Sequence, residues 1–312
     1  MRWLNTGVQI LVLLSVSIVL APRLAIQWPL LNLFALMQFP AALAGFAGSL
    51  IALGLSRSLA VRALDLVGLL VCGFSLPSPA LAPSPCTNGA PEITIAWLNT
   101  FGAKHERRII EWLQQTKPQV IGLAEFKTRP GKLSAFLAQE YPYQQSCLAN
   151  GRCSTVLFAR ESPAQTFALA YGNPQKRKTL SGAAMQFPAS SNQPARMYAA
   201  VHLSRPTSPE AQLRELTEFE SRMGAAADTI LIGDFNLSPR MPLLQDFSAR
   251  NGLTIIRADR PTWPLVWNGR QMRSLWQIDN LLIGSNWHVQ SMQTSEYLGS
   301  DHRGFVAHLC RS

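Results

Sequence analysis

Between Leu24 and Ser56 the chain runs for 33 residues without a charge. A bilayer span takes about 20 apolar residues, so this run is too long for one upright helix and short for two. Pro29 and Pro40 mark a loop or a kink within it. On its two sides, Gly7 to Ala21 is apolar apart from Gln9 and a few serines, and Val61 to Leu76 is apolar except for Asp65. Residues 1–76 therefore read as a transmembrane region. Three helices near 7–22, 32–55 and 59–76 are the preferred count, with two or four left open. Asp65 lies near the start of the third span and reads as interfacial, a functional intramembrane acid being the alternative.

The charge is unevenly spread. Of 28 Lys+Arg and 18 Asp+Glu, net +10, the first 83 residues hold only Arg2, Arg23, Arg57, Arg62 and Asp65. The rest of the chain is a basic domain of about 230 residues, within the single-domain range and long enough for a sizeable core. Its modest excess suits an anionic partner: nucleic acid, a phospholipid head group or a phosphorylated metabolite. Arg2, Arg57 and Arg62 place the N-terminus and the second loop in the cytoplasm, so three spans carry the domain outside; Arg23 runs against this. The localisation expected is a bacterial inner or cell membrane, with the domain periplasmic or extracellular. A cleaved signal peptide is the rival. Ala80-Leu81-Ala82 resembles a cleavage site, but Pro83 just after it is unfavourable, and the anchor is expected to be retained.

Cys72 falls in the third span, and the domain holds Cys86, Cys147, Cys153 and Cys310. An even number suits an oxidising compartment and two bridges, 86–310 and 147–153. The alternative is four small hydrophobes. No Cys/His cluster has zinc spacing.

Residues 77–91 form a Pro-rich linker, expected to be extended and semi-rigid. The pattern from 92 to 312 predicts helices near 104–115, 132–139, 209–223 and 242–250. Strands are expected near 93–98, 120–126, 154–159, 165–170, 180–187, 197–203, 229–233, 275–283, 287–293 and 304–310. Helices and many strands with short connections imply a layered α/β domain, two sheets with helices outside.

The polar residues with chemical potential recur at strand ends. Asn99 follows Ile93–Leu98, Glu125 follows Val120–Ala124, and His202 follows Tyr198–Val201. Asp234 and Asn236 follow Ile230-Leu-Ile-Gly; Asp279 sits in Gln277-Ile-Asp-Asn; Asp301 and His302 precede the last strand. Residues two apart on a strand share a face, so Asp234 and Asn236 emerge together. A strand followed by an ordinary Asx-turn is the bland alternative for that pair. Six such strand ends are hard to attribute to surface loops.

These residues resemble the endonuclease/exonuclease/phosphatase superfamily, over roughly 92–311. Gly233-Asp234-Phe235-Asn236 and Ser300-Asp301-His302 are the most specific motifs. The resemblance implies a four-layered α/β sandwich with the site at the top of two facing sheets. It implies that Glu125, Asn99 and Asp301 hold Mg²⁺ or Mn²⁺. His302 would be the general base, oriented by Asp279, with Asp234 aligning the attacking water. Asn236 and His202 would bind phosphoryl oxygens. Two departures stand out: Thr100-Phe101-Gly102 supplies no second acid after Asn99, and His202 has no evident carboxylate partner, Glu161 being considered and not adopted.

The activity implied is metal-dependent hydrolysis of a phosphate ester or pyrophosphate by direct water attack. A membrane-anchored bacterial-type member, arranged like teicoplanin-resistance membrane proteins of this superfamily, would act on a lipid-linked phosphate. The alternative is an extracytoplasmic nuclease on DNA or RNA. A non-catalytic binding module would lack a base, ligand or phosphate binder, and none is missing. The bilayer and an anionic phosphate substrate are the partners implied; no protein partner is expected. Trp263, Trp267 and Trp276 are candidates for the site mouth or for core. Lys176-Arg177-Lys178 reads as a solvated loop, and His105, His288 and His308 as structural.

Overall fold

The computed structural model describes residues 2–25, 28–75, 86, 92–102, 104–126, 131–147, 155–169, 181–189, 195–222, 226–267 and 270–311. The linker, Cys153 and the Lys176–Lys178 run, each singled out in the sequence, lie outside these apart from Cys86. The chain divides into two compact units, 1–81 with 240–243, and 82–239 with 244–312.

In the first unit, α1 (Arg2–Leu20), α2 (Gln38–Leu55) and α3 (Leu59–Phe74) pack on one another, with short 3-10 turns at Ala21–Leu24 and Pro29–Met37. Small residues let the backbones approach. A Cβ added at Gly45 would sit 2.7 Å from that of Ser15 and 2.5 Å from the Cys72 sulfur. Trp3–Leu24 and Leu30–Leu55 are long and apolar enough to cross a membrane. At 16 residues α3 is shorter than an ordinary span. Asp65, expected near the membrane interface, is fully buried among the three helices. Its carboxylate accepts from Gln9 Nε2 at 2.8 Å and Ser56 Oγ at 3.0 Å, and these neutral donors are what make the burial tolerable.

The second unit is a two-sheet sandwich. Its elements in order are β1 (Ile93–Asn99), α4 (Glu106–Thr116), β2 (Val120–Ala124), α5 (Lys132–Glu140), β3 (Tyr143–Ser146), β4 (Val156–Ala159), β5 (Gln165–Ala168), β6 (Ser181–Phe187) and β7 (Arg196–His202). Next come α6 (Pro209–Arg222), β8 (Thr229–Asp234), α7 (Pro242–Arg250), β9 (Thr254–Ile256), β10 (Val266–Trp267), β11 (Arg270–Gln271), β12 (Asp279–Ile283), β13 (Trp287–Thr294) and β14 (Phe305–Arg311). One sheet is ordered β13-β14-β1-β2-β4-β3 and the other β5-β6-β7-β8-β12-β9; β10 and β11 form a separate small hairpin. Each large sheet is mixed, with β1–β2 and β7–β8 parallel and the other pairs antiparallel.

Strand alternation divides the apolar residues into two layers. Ile95, Trp97, Val120 and Leu309 face Ala200, Ile230, Ile232 and Leu281 to make the core between the sheets. Ala96, Leu98, Ile121 and Leu123, on the opposite parity, pack against Ile109 and Leu113 of α4 and Leu133 and Leu137 of α5. On α6 and α7, Phe219 and Phe247 meet at 6.2 Å. The four predicted domain helices and ten predicted strands all occur. Strands β3, β9, β10 and β11 were not expected; they are two to four residues long, too short for periodicity to show. The strand expected from 275 begins only at Asp279, because Trp276 is drawn into an isolated bridge with Trp263.

Cys86 and Cys310 are disulfide-bonded, as proposed from the sequence. Cys147 is also disulfide-bonded, and the proposed partner, Cys153, lies outside the described residues. Cys72 is free and buried.

Candidate active site

Four site residues obey one rule. On β1 the inward register Ile95, Trp97 continues to Asn99; on β7, Tyr198, Ala200 continue to His202. On β8, Ile230, Ile232 continue to Asp234; on β12, read backwards, Ile283, Leu281 continue to Asp279. Side chains two apart point the same way, so the position after the last apolar residue of each strand opens between the sheets at one end. Registers hold these ends level: Asp234 lies opposite Asp279 on one side and His202 on the other.

Gly233 is required by this closeness. A Cβ there would collide with the Val201 carbonyl of β7. Beyond it, Asp234 Oδ1 accepts the backbone N–H of Asn236 at 3.0 Å, with Asn236 at φ 51°. The Asx-turn and the site are thus the same structure, and the two readings of this motif do not compete.

The centre is a chain of buried groups. Trp97 Nε1 donates to Asp279 Oδ1 at 2.8 Å, and Asp279 Oδ2 lies 2.8 Å from His302 Nδ1. His302 Nε2 faces Asp234 Oδ2 at 3.8 Å, and His202 Nε2 faces the same oxygen at 3.6 Å. Asn99 Nδ2 donates to that oxygen at 3.0 Å and to Glu125 Oε1 at 3.3 Å. Burial works against the His302 imidazolium, but the charges of Asp279 and Asp234 outweigh it and push its pKa up to about 10. Burial raises the Asp234 carboxyl above its ordinary value, His302 opposes that rise, and Asp279 adds to it.

Asp234, Asp279 and His302 bring ligand-type atoms within 4.8 Å of one another, a possible metal site. Both Asp279 oxygens are already committed to Trp97 and His302, however, so a cation there would displace an imidazolium. The donor set expected from the sequence fits a cation better. Asp301 Oδ1 is buried without a hydrogen-bond partner among the described residues, and its other oxygen takes only a long 3.4 Å bond from Trp263 Nε1. Glu125, held at φ 49° just past β2, ends half-buried beside Asn99. For Asn99 to offer oxygen, its amide must turn, since its carbonyl now accepts from Phe101 N.

Of the phosphate binders expected, His202 reaches the cluster directly. Asn236 gives one amide N–H to the Leu203 carbonyl at 3.0 Å, leaving the other available. Glu161 is not the partner of His202: it pairs with Arg196 at the other end of the sheets. Trp263 and Trp276 stack at 5.7 Å, with Trp263 6.4 Å from His302, whereas Trp267 belongs to the small hairpin. His308 bonds Thr94, His105 lies against Tyr297, and His288 pairs across from Cys310.

Several working residues had no role in the sequence reading. Trp97 was legible: a tryptophan on the inner register two before Asn99 needs an acceptor for its N–H. Ser300 donates to the Asn99 carbonyl at 2.6 Å and accepts from His302 N. Thr262 Oγ1 accepts the N–H groups of Ile278 and Asp279. Gln212 of α6 donates to the Ser204, Phe235 and Asn236 carbonyls, clamping the loops after β7 and β8. Nothing local in the sequence marks these contacts.

Residues 96–302 match the Endonuclease/Exonuclease/phosphatase family. Comparison with curated proteins gives no match. Among solved structures, the human Nocturnin catalytic domain with bound sulfate superposes with a TM-score of 0.56 at 13% identity, over 71% of this chain and 94% of that one. A Bacteroides thetaiotaomicron mannosyl-6-phosphatase gives 0.51 at 14%, over 70% and 100%. D. rerio TDP2 with a single-strand DNA product gives 0.54 at 17%, over 70% and 98%. At these identities the structures speak to fold alone. With two-thirds of its length matched, the chain belongs to the endonuclease/exonuclease/phosphatase family, whose members are hydrolases of phosphoester bonds.

Proposed function

We propose that the protein is a membrane-tethered, divalent-metal-dependent phosphoesterase that cleaves a phosphate ester or pyrophosphate by direct attack of water. The observation that carries this is the buried Asp279–His302–Asp234 chain opening beside Asn99 and Glu125. Mg²⁺ or Mn²⁺ held by Glu125, Asn99 and Asp301 would neutralise charge on the phosphoryl oxygens. The remaining work falls to the chain's own groups.

His302 is fixed through Nδ1 by Asp279, and its Nε2 faces the Asp234 carboxylate at 3.8 Å, so the pair is placed to align the attacking water and take up its proton. His202 and the spare N–H of Asn236 orient the phosphoryl group from β7 and β8.

A lipid-linked phosphate is the preferred substrate. Two helices of spanning length hold the enzyme where such a substrate is concentrated. The Cys86–Cys310 bridge favours an oxidising, extracytoplasmic side for the domain. A nuclease is the second reading, favoured by the fold shared with D. rerio TDP2 bound to a single-strand DNA product. The test uses the full chain in detergent, with Mg²⁺ or chelator, against undecaprenyl pyrophosphate, phosphatidylinositol phosphates, bis-nitrophenyl phosphate and plasmid DNA. Turnover of the polyprenyl substrate that chelation abolishes supports the proposal. Turnover of DNA alone selects the nuclease, and no turnover of any substrate overturns both.

A further inference from the structure

The inward register that makes the catalytic end also runs off the opposite end of the sheets. There Glu161 follows two residues after β4 ends at Ala159, β7 begins at Arg196, and β14 ends at Arg311. With Arg160, Tyr198 and Trp287 they line a cavity of about 210 Å³ between the two sheets. Three arginines and two acids line it, the second acid being Glu92, and Arg160 is also drawn to Glu140 at 4.0 Å and to the Tyr141 hydroxyl at 3.3 Å.

The groups are held rather than splayed. Arg196 is buried, with Nη2 on Glu161 Oε2, Nε on the Tyr198 hydroxyl at 2.9 Å, and its guanidinium 5.2 Å from the Phe187 ring. Arg311 donates to Asp228 at 2.7 Å and lies 4.6 Å over Trp287. After these bonds two buried donors are left over. The Tyr198 oxygen accepts from Arg196, so its own proton needs an acceptor, and none occurs among the described residues. Burial pushes that phenol up to about 12, which keeps it a donor. The indole N–H of Trp287, a residue 4% exposed, also has no acceptor among the described residues. Buried donors without acceptors are rare in folded proteins, and each costs about 1–3 kcal/mol.

Surplus donors among guanidiniums call for oxyanion acceptors, and the walls of Ile93, Val120 and Phe187 suit carbon. The volume falls below the roughly 300 Å³ of pockets for drug-sized ligands. We propose that this cavity binds a small organic anion, a carboxylate or phosphate on a short carbon body, at the end of the sandwich remote from Asp234.

The test is calorimetric titration of the full chain in detergent with benzoate and with phenylphosphonate, which contains no ester to hydrolyse. Saturable binding of at least one is expected. Arg196→Gln and the milder Tyr198→Phe, its fold checked by thermal unfolding, should each weaken it about tenfold or more, as loss of a hydrogen bond to a charged group does. Asp234→Ala should leave it unchanged. Absence of saturable binding overturns the proposal. So does binding lost in Asp234→Ala, or binding indifferent to both Arg196→Gln and Tyr198→Phe.

Discussion

At one end of the facing sheets the inward register finishes in Asn99, His202, Asp234 and Asp279; at the other it finishes in Glu161, Arg196 and Arg311. The backbone logic is the same at both ends, so the difference is one of charge. Among the described residues, the catalytic end gathers carboxylates around histidines, which raises the His302 pKa and leaves Asp301 Oδ1 without a donor, whereas the far end gathers guanidiniums around aromatic rings and leaves donors without acceptors. A two-sheet sandwich thus provides two mouths, and the last inward residue of each strand decides what each can hold.

The largest expected effect is confinement of catalysis to one mouth. His302→Ala and Asp234→Ala should each lower kcat about 10³-fold on whichever substrate turns over, since each removes a proton-transfer or charge-stabilising group. Arg196→Gln should leave kcat within about twofold, because distant sites act independently. A comparable loss in both would dissolve the distinction. Chelation should abolish activity, and Mg²⁺ or Mn²⁺ should restore it. A Glu125→Gln variant that no longer responds to either ion would place the cation where the half-buried carboxylate is.

Stability should sharpen the contrast further. Gly233→Ala forces a Cβ onto the Val201 carbonyl and should cost about 2–4 kcal/mol in urea unfolding. The pH response comes next. Because the fold raises the His302 pKa above its ordinary 6.5, to about 10, its stabilising contribution is complete below about pH 6.5. That contribution is lost as pH rises through about 10. Unfolding free energy should fall across this window by an amount on the order of a few kcal/mol, and His302→Gln should flatten the slope. Smallest of all, Tyr198→Phe should cost about 1 kcal/mol, one hydrogen bond at the far mouth, without altering that pH profile.

Sheet membership and the catalytic end were legible because both rest on period-two alternation. Asn99, His202, Asp234 and Asp279 could be placed by counting back from the apolar run beside each. The burial of Asp65 was not legible because it depends on Gln9 in α1 and on Ser56 just past the end of α2. The raised pKa of His302 was illegible for a related reason. A protonation state is set by charges converging from β8, β12 and the loop before β14, and no single segment records that sum. Gln212 escaped notice because an amide inside a helix carries no periodic signal.

The Cys86–Cys310 bond has a mechanical meaning. Cys310 lies in β14, which is flanked by β13 and β1 inside its sheet. Tension reaching Cys86 from the N-terminal side passes by covalent bond into β14, so Ile93 is not peeled first from its neighbours. The strand that carries Asn99 is thereby isolated from any pull on the chain that precedes it, and the spacing of the site residues need not register that pull.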